Sequence, residues 1–426
     1  MKILLNATLF TLASVIYMAP SFAERKHGND KVILSFSTVG DSRQDPEFPD
    51  PSVVQGGKKG VGKCPEPFED GLTDNPGLSG QDCKWLQNTK AWARIINSIQ
   101  KQKPNLFFFN GDMINGYGKA SLPVIRGSKQ IPDTEIVKPT LTDFKNSDFM
   151  QFYTQYAFWR GMVANLMEND IYVVPVPGNH EVQCARCGIK GKTAQVENEN
   201  AWRDNMGDLI LDNARFTSIL GQAPQNFDLT NRPGIADGAT TDQSQLSYSF
   251  DVGHSHFAII NTDAVGKDGY APTNWLDADL VAAEVHGAKN IFVFGHKPAT
   301  FYYGGPAGAD APKYSASLND NNAVAAAEFW AVINKHKATY FCGHEHTYNI
   351  SKPFGLESLQ VLVGATGSDF EWKVSPVPSD RMYSWATVNI FESGKVVMST
   401  YGFDDTMIHP IVKLATIQLK PKSRKR

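Results

Sequence analysis

The hydrophobic pattern of this chain is built from short, unbroken apolar runs that each stop at glycine and a polar side chain. Val32-Ile33-Leu34-Ser35-Phe36 leads to Gly40-Asp41, and Leu106-Phe107-Phe108-Phe109 leads to Gly111-Asp112. Ile171-Tyr172-Val173-Val174 precedes Gly178-Asn179-His180-Glu181, Ile291-Phe292-Val293-Phe294 precedes Gly295-His296, and Thr339-Tyr340-Phe341-Cys342 precedes Gly343-His344-Glu345-His346. Apolar runs without alternation suit strands covered on both faces. Glycine at each exit lets the chain turn sharply and lets backbone approach a bound group. Helical patterns lie between the runs, at Lys84 to Gln100, Asp148 to Glu168, Trp275 to Val285 and Asn321 to His336. Strand alternating with helix predicts a layered α/β fold whose ligands gather where strands end. Tyr248 to Val252 with His256 to Ile260, and Trp385 to Phe391 with Lys395 to Tyr401, read as hairpins, so mixed sheets are expected. Three stretches rich in Gly, Pro, Asn and Asp, at Gln44 to Cys83, Asn115 to Ser147 and Gln183 to Gln245, read as loop insertions on one face.

The start of the chain follows another rule. Lys2 precedes a mostly apolar run from Ile3 to Met18 and then Ala19-Pro20-Ser21-Phe22-Ala23, the form of an export signal cut after Ala23. The run is too short and too often interrupted for a comfortable bilayer span. Residues 1–23 are therefore read as a signal peptide, 24–419 as one domain, and 420–426 as a basic tail, with the mature protein periplasmic or secreted. With 42% hydrophobic residues among 426, the composition supports a packed core and excludes a disordered or fibrous chain. A formal charge of -3 gives no global attraction to nucleic acid or an anionic membrane, so an anionic ligand must be held locally. In an oxidising compartment the 5 cysteines suggest two local disulfides, Cys64 with Cys83 and Cys184 with Cys187, leaving Cys342 free. A single C-x-x-C is a weak signal for redox or zinc chemistry.

The strand exits carry the candidate chemistry. Asp41, Asp112, Asn179, His296, His344 and His346 offer oxygen and imidazole donors suited to Zn, Mn or Fe rather than to ions that prefer thiolates. Two such ions about 3.5–4 Å apart would clamp a phosphoryl oxygen and supply hydroxide near neutral pH. A single Gly-Asp is usually an Asx turn, and a lone histidine usually packs as structure, but five exits ending in His-x-His are hard to assign to chance.

Gly40-Asp41-Ser42-Arg43, Gly111-Asp112-Met113-Ile114-Asn115, Gly178-Asn179-His180-Glu181, Gly295-His296 and Gly343-His344-Glu345-His346 together resemble the motifs of the calcineurin-like metallophosphoesterases, most of all the purple-acid-phosphatase-like branch. The resemblance extends to Tyr248-Ser249-Phe250 with His256-Phe257 and to Trp275-Leu276. It implies a four-layer αββα sandwich with mixed sheets, a dinuclear centre of two divalent or di/trivalent ions, and metal-bound hydroxide attacking phosphorus in line. Carried over, Asp41 and His346 would hold the first ion and Asn179, His296 and His344 the second, with Asp112 bridging. His180 would act as general acid or stabilise the leaving oxygen. Glu181 and Glu345 would be structural or orient the ligating histidines.

Two departures surround the first ion. Many members of the family have histidine where Arg43 stands, and arginine cannot ligate because it is always cationic. The purple acid phosphatases have tyrosine where Asn115 stands, so the Asn115 carbonyl or water would have to complete that site. Arg43 then becomes either a clamp on a phosphate oxygen or the partner of a loop carboxylate such as Asp45 or Glu47. The remaining histidines, His254, His256, His286, His336 and His409, lack the strand-exit context and read as structural or surface residues. Tyr117, Tyr270, Phe301, Tyr302, Tyr303 and Trp372 are candidates for rim stacking on a leaving group. The expectation is a phosphoesterase acting on small-molecule phosphate esters, acid-phosphatase-like. A phosphodiesterase or nucleotidase is the alternative within enzymes, and a catalytically weak metal- or phosphate-binding protein the alternative outside them.

Overall fold

The computed structural model describes residues 30–43, 80–121, 125–126, 136–137, 140–145, 147–188, 191–301, 317–368, 382–404 and 409–420. The signal peptide, the Cys64 and Cys83 pair, Asp45, Glu47, Tyr302, Tyr303, Trp372, residues 421–426 and much of the first two insertions lie outside them.

In chain order the main elements are β1 (Val32–Val39), α1 (Gly80–Gln102), β2 (Leu106–Asn110), α2 (Asp148–Met167), β3 (Tyr172–Val176), β4 (Gln183–Gly188), β5 (Gly191–Ala194), α3 (Val196–Met206), α4 (Asn213–Leu220), β6 (Tyr248–Val252) and β7 (Ser255–Ile259). They continue as α5 (Thr273–Val285), β8 (Asn290–Phe294), α6 (Ala323–Lys335), β9 (Thr339–Cys342), β10 (Tyr348–Ser351), β11 (Gln360–Val363), β12 (Met382–Phe391), β13 (Val396–Asp404) and β14 (Val412–Lys420). One six-stranded sheet runs β14-β13-β12-β1-β2-β3 and the other β10-β11-β9-β8-β7-β6. Strands β1, β2 and β3 are parallel to one another, as are β7, β8, β9 and β11, while the hairpins supply the antiparallel members. Both sheets are mixed.

The two sheets pack face to face through phenylalanine. The Phe36 ring of β1 lies 4.9 Å from Phe292 and 5.6 Å from both Phe257 and Phe341, and Phe108 stacks on Phe294 at 3.8 Å. Truncating Phe36 to alanine would open a cavity costing about 3–5 kcal/mol. Helices α1 and α2 cover the outer face of the first sheet, where Trp92 and Trp159 each meet Phe109 at 5.3 Å. Beyond the second sheet, a separate apolar cluster joins Trp275, Leu276 and Leu280 of α5 and Phe329, Trp330 and Ile333 of α6 to Tyr340 and Val293. The result is a four-layer αββα sandwich with the core between the sheets.

Three readings need correction. The stretch 183–245 is no plain loop: it carries the hairpin β4–β5 and helices α3 and α4, anchored by buried Trp202, Met206 and Phe216. The start of the helix expected from Asn321 moves by two residues: α6 begins at Ala323, because the Asn322 side chain caps the Ala325 N–H, and a separate capped turn, Leu318–Asn321, precedes it. Strand β14 lacks a clean alternating pattern, since a register shift opposite Thr400 and Tyr401 interrupts it, and the strand extends to Lys420, so the domain includes the first residue of the basic run. Among the described residues no helix is long and apolar enough to cross a membrane.

Candidate metal centre

Strands β1, β2 and β3 run parallel in one sheet and β8 and β9 in the other, and contacts of Asp41 with the His344 N–H and of Asp112 with His296 put all five Gly-containing exits at the same end of the sandwich. The turns are tight. Gly111 has φ 81°, and a Cβ there would lie 2.6 Å from both Gly178 Cα and His296 Nδ1; one on Gly343 would lie 2.2 Å from Asp41 Oδ2. Left-handed backbone is concentrated at this end: Asp41 (φ 66°), Arg43 (43°), Asp112 (56°), Tyr117 (64°) and His344 (74°) are five of the non-glycine residues that adopt it. Such conformations cost free energy and persist where surrounding structure enforces them, characteristically at functional sites.

Asp41, Asp112, Asn179, His180, His296 and His346 are buried here, and His344 nearly so. One set of potential ligand atoms comes from Asp112, His296 and His344 and a second from Asp41, Asp112 and His346, the atoms within each set lying within 4.8 Å of one another. Asp112 belongs to both. Its Oδ1 is 3.0 Å from His296 Nε2, and that nitrogen faces His344 Nδ1 at 3.1 Å. His346 Nε2 stands 3.7 Å from Asp41 Oδ1. The Asp41 carboxylate also accepts the His344 N–H, while His296 Nδ1 is 2.7 Å from the Asn110 carbonyl, which fixes the ring with Nε2 inward. Asn179 Oδ1 is buried without a hydrogen bond.

The electrostatics of these groups suit a bound cation. Burial, together with the negative charge of Asp112, pushes the Asp41 carboxyl well above the usual carboxylate range, against the pull of His296 and Arg43. Burial also opposes ionisation of Asp112, but His180, His296 and Arg43 hold its carboxyl well below that range. His344 is driven well below the ordinary imidazole value by burial and by the charges of His296 and Lys297. A buried oxygen without a donor, two imidazole nitrogens aimed at one point, and paired buried carboxylates are what hard divalent ions stabilise. The residues fit a pair of ions, with Asp112 shared.

Of the two roles open to Glu181, the structure shows the structural one: its carboxylate accepts main-chain N–H groups from Asp112 (2.8 Å), Met113 (2.8 Å), Ile114 (3.2 Å) and Gly178 (2.7 Å), locking two ligand loops together. Burial and the charge of Asp112 raise its carboxyl to about 7. The main-chain carbonyl of Asn115 lies against His180 Nδ1 and orients that ring. The Arg43 guanidinium reaches Asp112 Oδ2 through both Nε (3.3 Å) and Nη2 (3.1 Å), so it faces the centre. Phe301 is buried rather than on a rim, whereas Tyr117 stands at the centre itself, its ring centroid 3.6 Å from that of His180 and its hydroxyl on the Asn179 amide. Two lysines outside the strand-exit motifs also stand here. Lys297 forms a buried ion pair with Asp263 at 2.5 Å, and Lys192 donates to the Tyr117 hydroxyl at 2.7 Å. Adjacency to His296 was a signal for Lys297; nothing local marked Lys192.

The sequence profile of the calcineurin-like phosphoesterases matches residues 85–348, well over half of the chain and every strand exit but the first. The chain belongs to the calcineurin-like phosphoesterase family. Its membership supports a phosphoric ester hydrolase, and the family's use of two metal ions accords with the two sets of donors that share Asp112. Among solved structures, the chain is similar to a purple acid phosphatase from yellow lupin seeds, at 12% identity and a TM-score of 0.46 over 89% of this chain and 52% of that one, about half its length. It is also similar to a dimetal phosphatase from Danio rerio, at 10% identity and a TM-score of 0.48 over 92% of this chain and 100% of that one. A third similar structure is a putative 5'-nucleotidase from Staphylococcus aureus, at 11% identity and a TM-score of 0.37 over 92% and 55%. No curated protein matches the sequence.

Proposed function

We propose that this phosphoesterase is an exported phosphomonoesterase that uses a dinuclear centre held by Asp41, His346, Asn179, His296 and His344, with Asp112 between the ions. The observation that carries the reading is that the Asp112 carboxylate belongs to both clusters of donor atoms. Bound divalent ions would supply Lewis acidity toward a phosphoryl oxygen and ionise water near neutral pH. The chain's own residues do the rest. Glu181 and the glycine turns fix the donor positions before substrate arrives. The Asn115 main-chain carbonyl accepts from His180 Nδ1, which leaves Nε2 facing the centre; once the ring has taken up a second proton there, Nε2 is the atom that would pass it to the leaving oxygen. Arg43, with its planar donors at Asp112, is placed to bind a phosphate oxygen as substrate enters.

Export is supported by the apolar leader that ends at Ala23 and by the bond between Cys184 and Cys187, which persists most readily in an oxidising compartment. N-terminal sequencing of protein recovered outside the cytoplasm tests it, Glu24 being the expected first residue. Elemental analysis with turnover of aryl monoesters, aryl diesters and nucleotides tests the activity. Two metals per chain, faster monoester than diester hydrolysis, and loss of both metal and turnover in Asp112→Asn are expected. One metal without turnover of any ester would favour the binding protein, and diester preference would favour the phosphodiesterase.

A further inference from the structure

The loop hairpin β4–β5 brings a cation to the centre that the reaction described above does not use. Its first strand carries the bond between Cys184 and Cys187, and it joins the site directly: the Ala185 N–H donates to the Tyr117 carbonyl at 2.9 Å, and Thr193 is paired opposite Cys184. The far strand is fastened to Asp268 through Thr193 Oγ1 (3.0 Å) and the Ala194 N–H (2.7 Å). Lys192 precedes these anchors. Its ammonium lies over the Tyr117 ring, 4.0 Å from the centroid, and bonds the hydroxyl that also receives the Asn179 amide.

Three cations thus meet near one end of the centre, and two are matched. Arg43 stands on Asp112 and Lys297 on Asp263. Among the described residues Lys192 pairs with no carboxylate, and its only hydrogen bond is to a neutral hydroxyl, so no partner of opposite charge is in contact with it. The residue is exposed to solvent while its head group is held against the wall of the site. With Asn179 and Lys192 both donating to the Tyr117 oxygen, the phenol proton is left to donate outward beside the ammonium. An ammonium and an O–H side by side, without an anion, form a receptor for one.

Resting on the phosphoesterase reading, we propose that Lys192, seated on Tyr117, is a specificity-determining residue that binds a second negative group on the leaving portion of the substrate. The substrate class is a phosphate ester whose alcohol or phenol also carries a carboxylate or a further phosphate. The hairpin would set the distance between the two anionic groups.

The test compares 4-carboxyphenyl phosphate with 4-carbamoylphenyl phosphate, which match in size and differ in charge, in the metal-loaded wild type, Lys192→Ala and Lys192→Arg. Binding of the corresponding carboxy- and carbamoyl-benzylphosphonates is followed by calorimetry. Lys192→Ala is expected to lower the preference for the carboxylate ester about tenfold, the size of one hydrogen bond to a charged group, through KM rather than kcat. Metal content and carbamoyl-ester turnover should stay within about twofold of wild type, and Lys192→Arg should keep most of the preference. The phosphonates should show the same discrimination. An equal loss for both esters, or a preference that does not change, overturns the proposal and leaves the phosphoesterase reading intact. No hydrolysis of any ester overturns that reading, and the phosphonate comparison then still decides what Lys192 binds.

Discussion

At the end of the sandwich opposite the strand exits, His256 is enclosed between two carboxylates, and its protonation should be readable in stability. Its Nδ1 lies 2.6 Å from Asp251 Oδ1 and its Nε2 2.9 Å from Asp279 Oδ2, with all three residues no more than 5% exposed. Asn226 donates to Asp251, and Ser249 and Asn231 to Asp279, so the surplus negative charge is itself hydrogen-bonded. Two acceptors require both ring nitrogens to carry hydrogen. Burial works against the imidazolium, but Asp251 and Asp279 outweigh it and raise the group to about 9, against an ordinary value of 6.5. A group raised on folding contributes stability that is complete below the unfolded value and is lost as pH climbs through the folded one. The contribution is thus full below about pH 6.5, declines across the interval and is gone above about pH 9. At ~1.4 kcal/mol per pH unit it amounts to at most about 3 kcal/mol. Urea unfolding of the wild type and His256→Asn at pH 6, 7.5 and 9.5 isolates this contribution, because titrations common to both proteins cancel in the difference. The difference should be largest at pH 6 and shrink by up to about 3 kcal/mol at pH 9.5. A difference independent of pH, or one that widens with rising pH, would refute a buried histidinium at this place.

Other consequences concern the centre. Gly116 has φ 49°, and a Cβ there would fall 1.8 Å from the His180 carbonyl oxygen, so Gly116→Ala should cost about 2 kcal/mol or more by thermal denaturation and lower kcat by displacing His180. Glu181→Gln turns a donor toward main-chain N–H groups that now meet a carboxylate; a loss of about 3 kcal/mol in urea unfolding, with weakened metal retention by elemental analysis, is expected. Arg43→Ala should lower kcat/KM at unchanged metal content, and Arg43→Lys should restore part of it, since an ammonium lacks the planar fork; unchanged kinetics would show that the arginine serves only Asp112.

How much of this was legible in the sequence depends on the range over which each feature is set. Unbroken apolar runs ending at Gly-Asp, Gly-Asn-His and Gly-His are local signals, because burial of a strand on both faces and a turn too tight for a Cβ leave marks within a few residues. They gave the layered architecture and every donor now gathered at the strand ends. The hairpin and helices of 183–245 escaped because polar, glycine-containing sequence resembles loop until Trp202 and Phe216 find a surface to bury against. Partnership is another matter. The Asp41 carboxylate meets the His344 N–H across 303 positions, Arg43 meets Asp112 across 69, and Lys192 meets Tyr117 across 75. Sheet order and register bring these groups together, and neither propensity nor periodicity encodes which exit will face which. The sequence by itself determined the chemistry available at each strand end, and its motifs already put Asp112 between two donor sets; only the tertiary structure decided which main-chain groups Glu181 would hold, that Arg43 would stand on Asp112, and that one lysine's charge would be left without a carboxylate beside them.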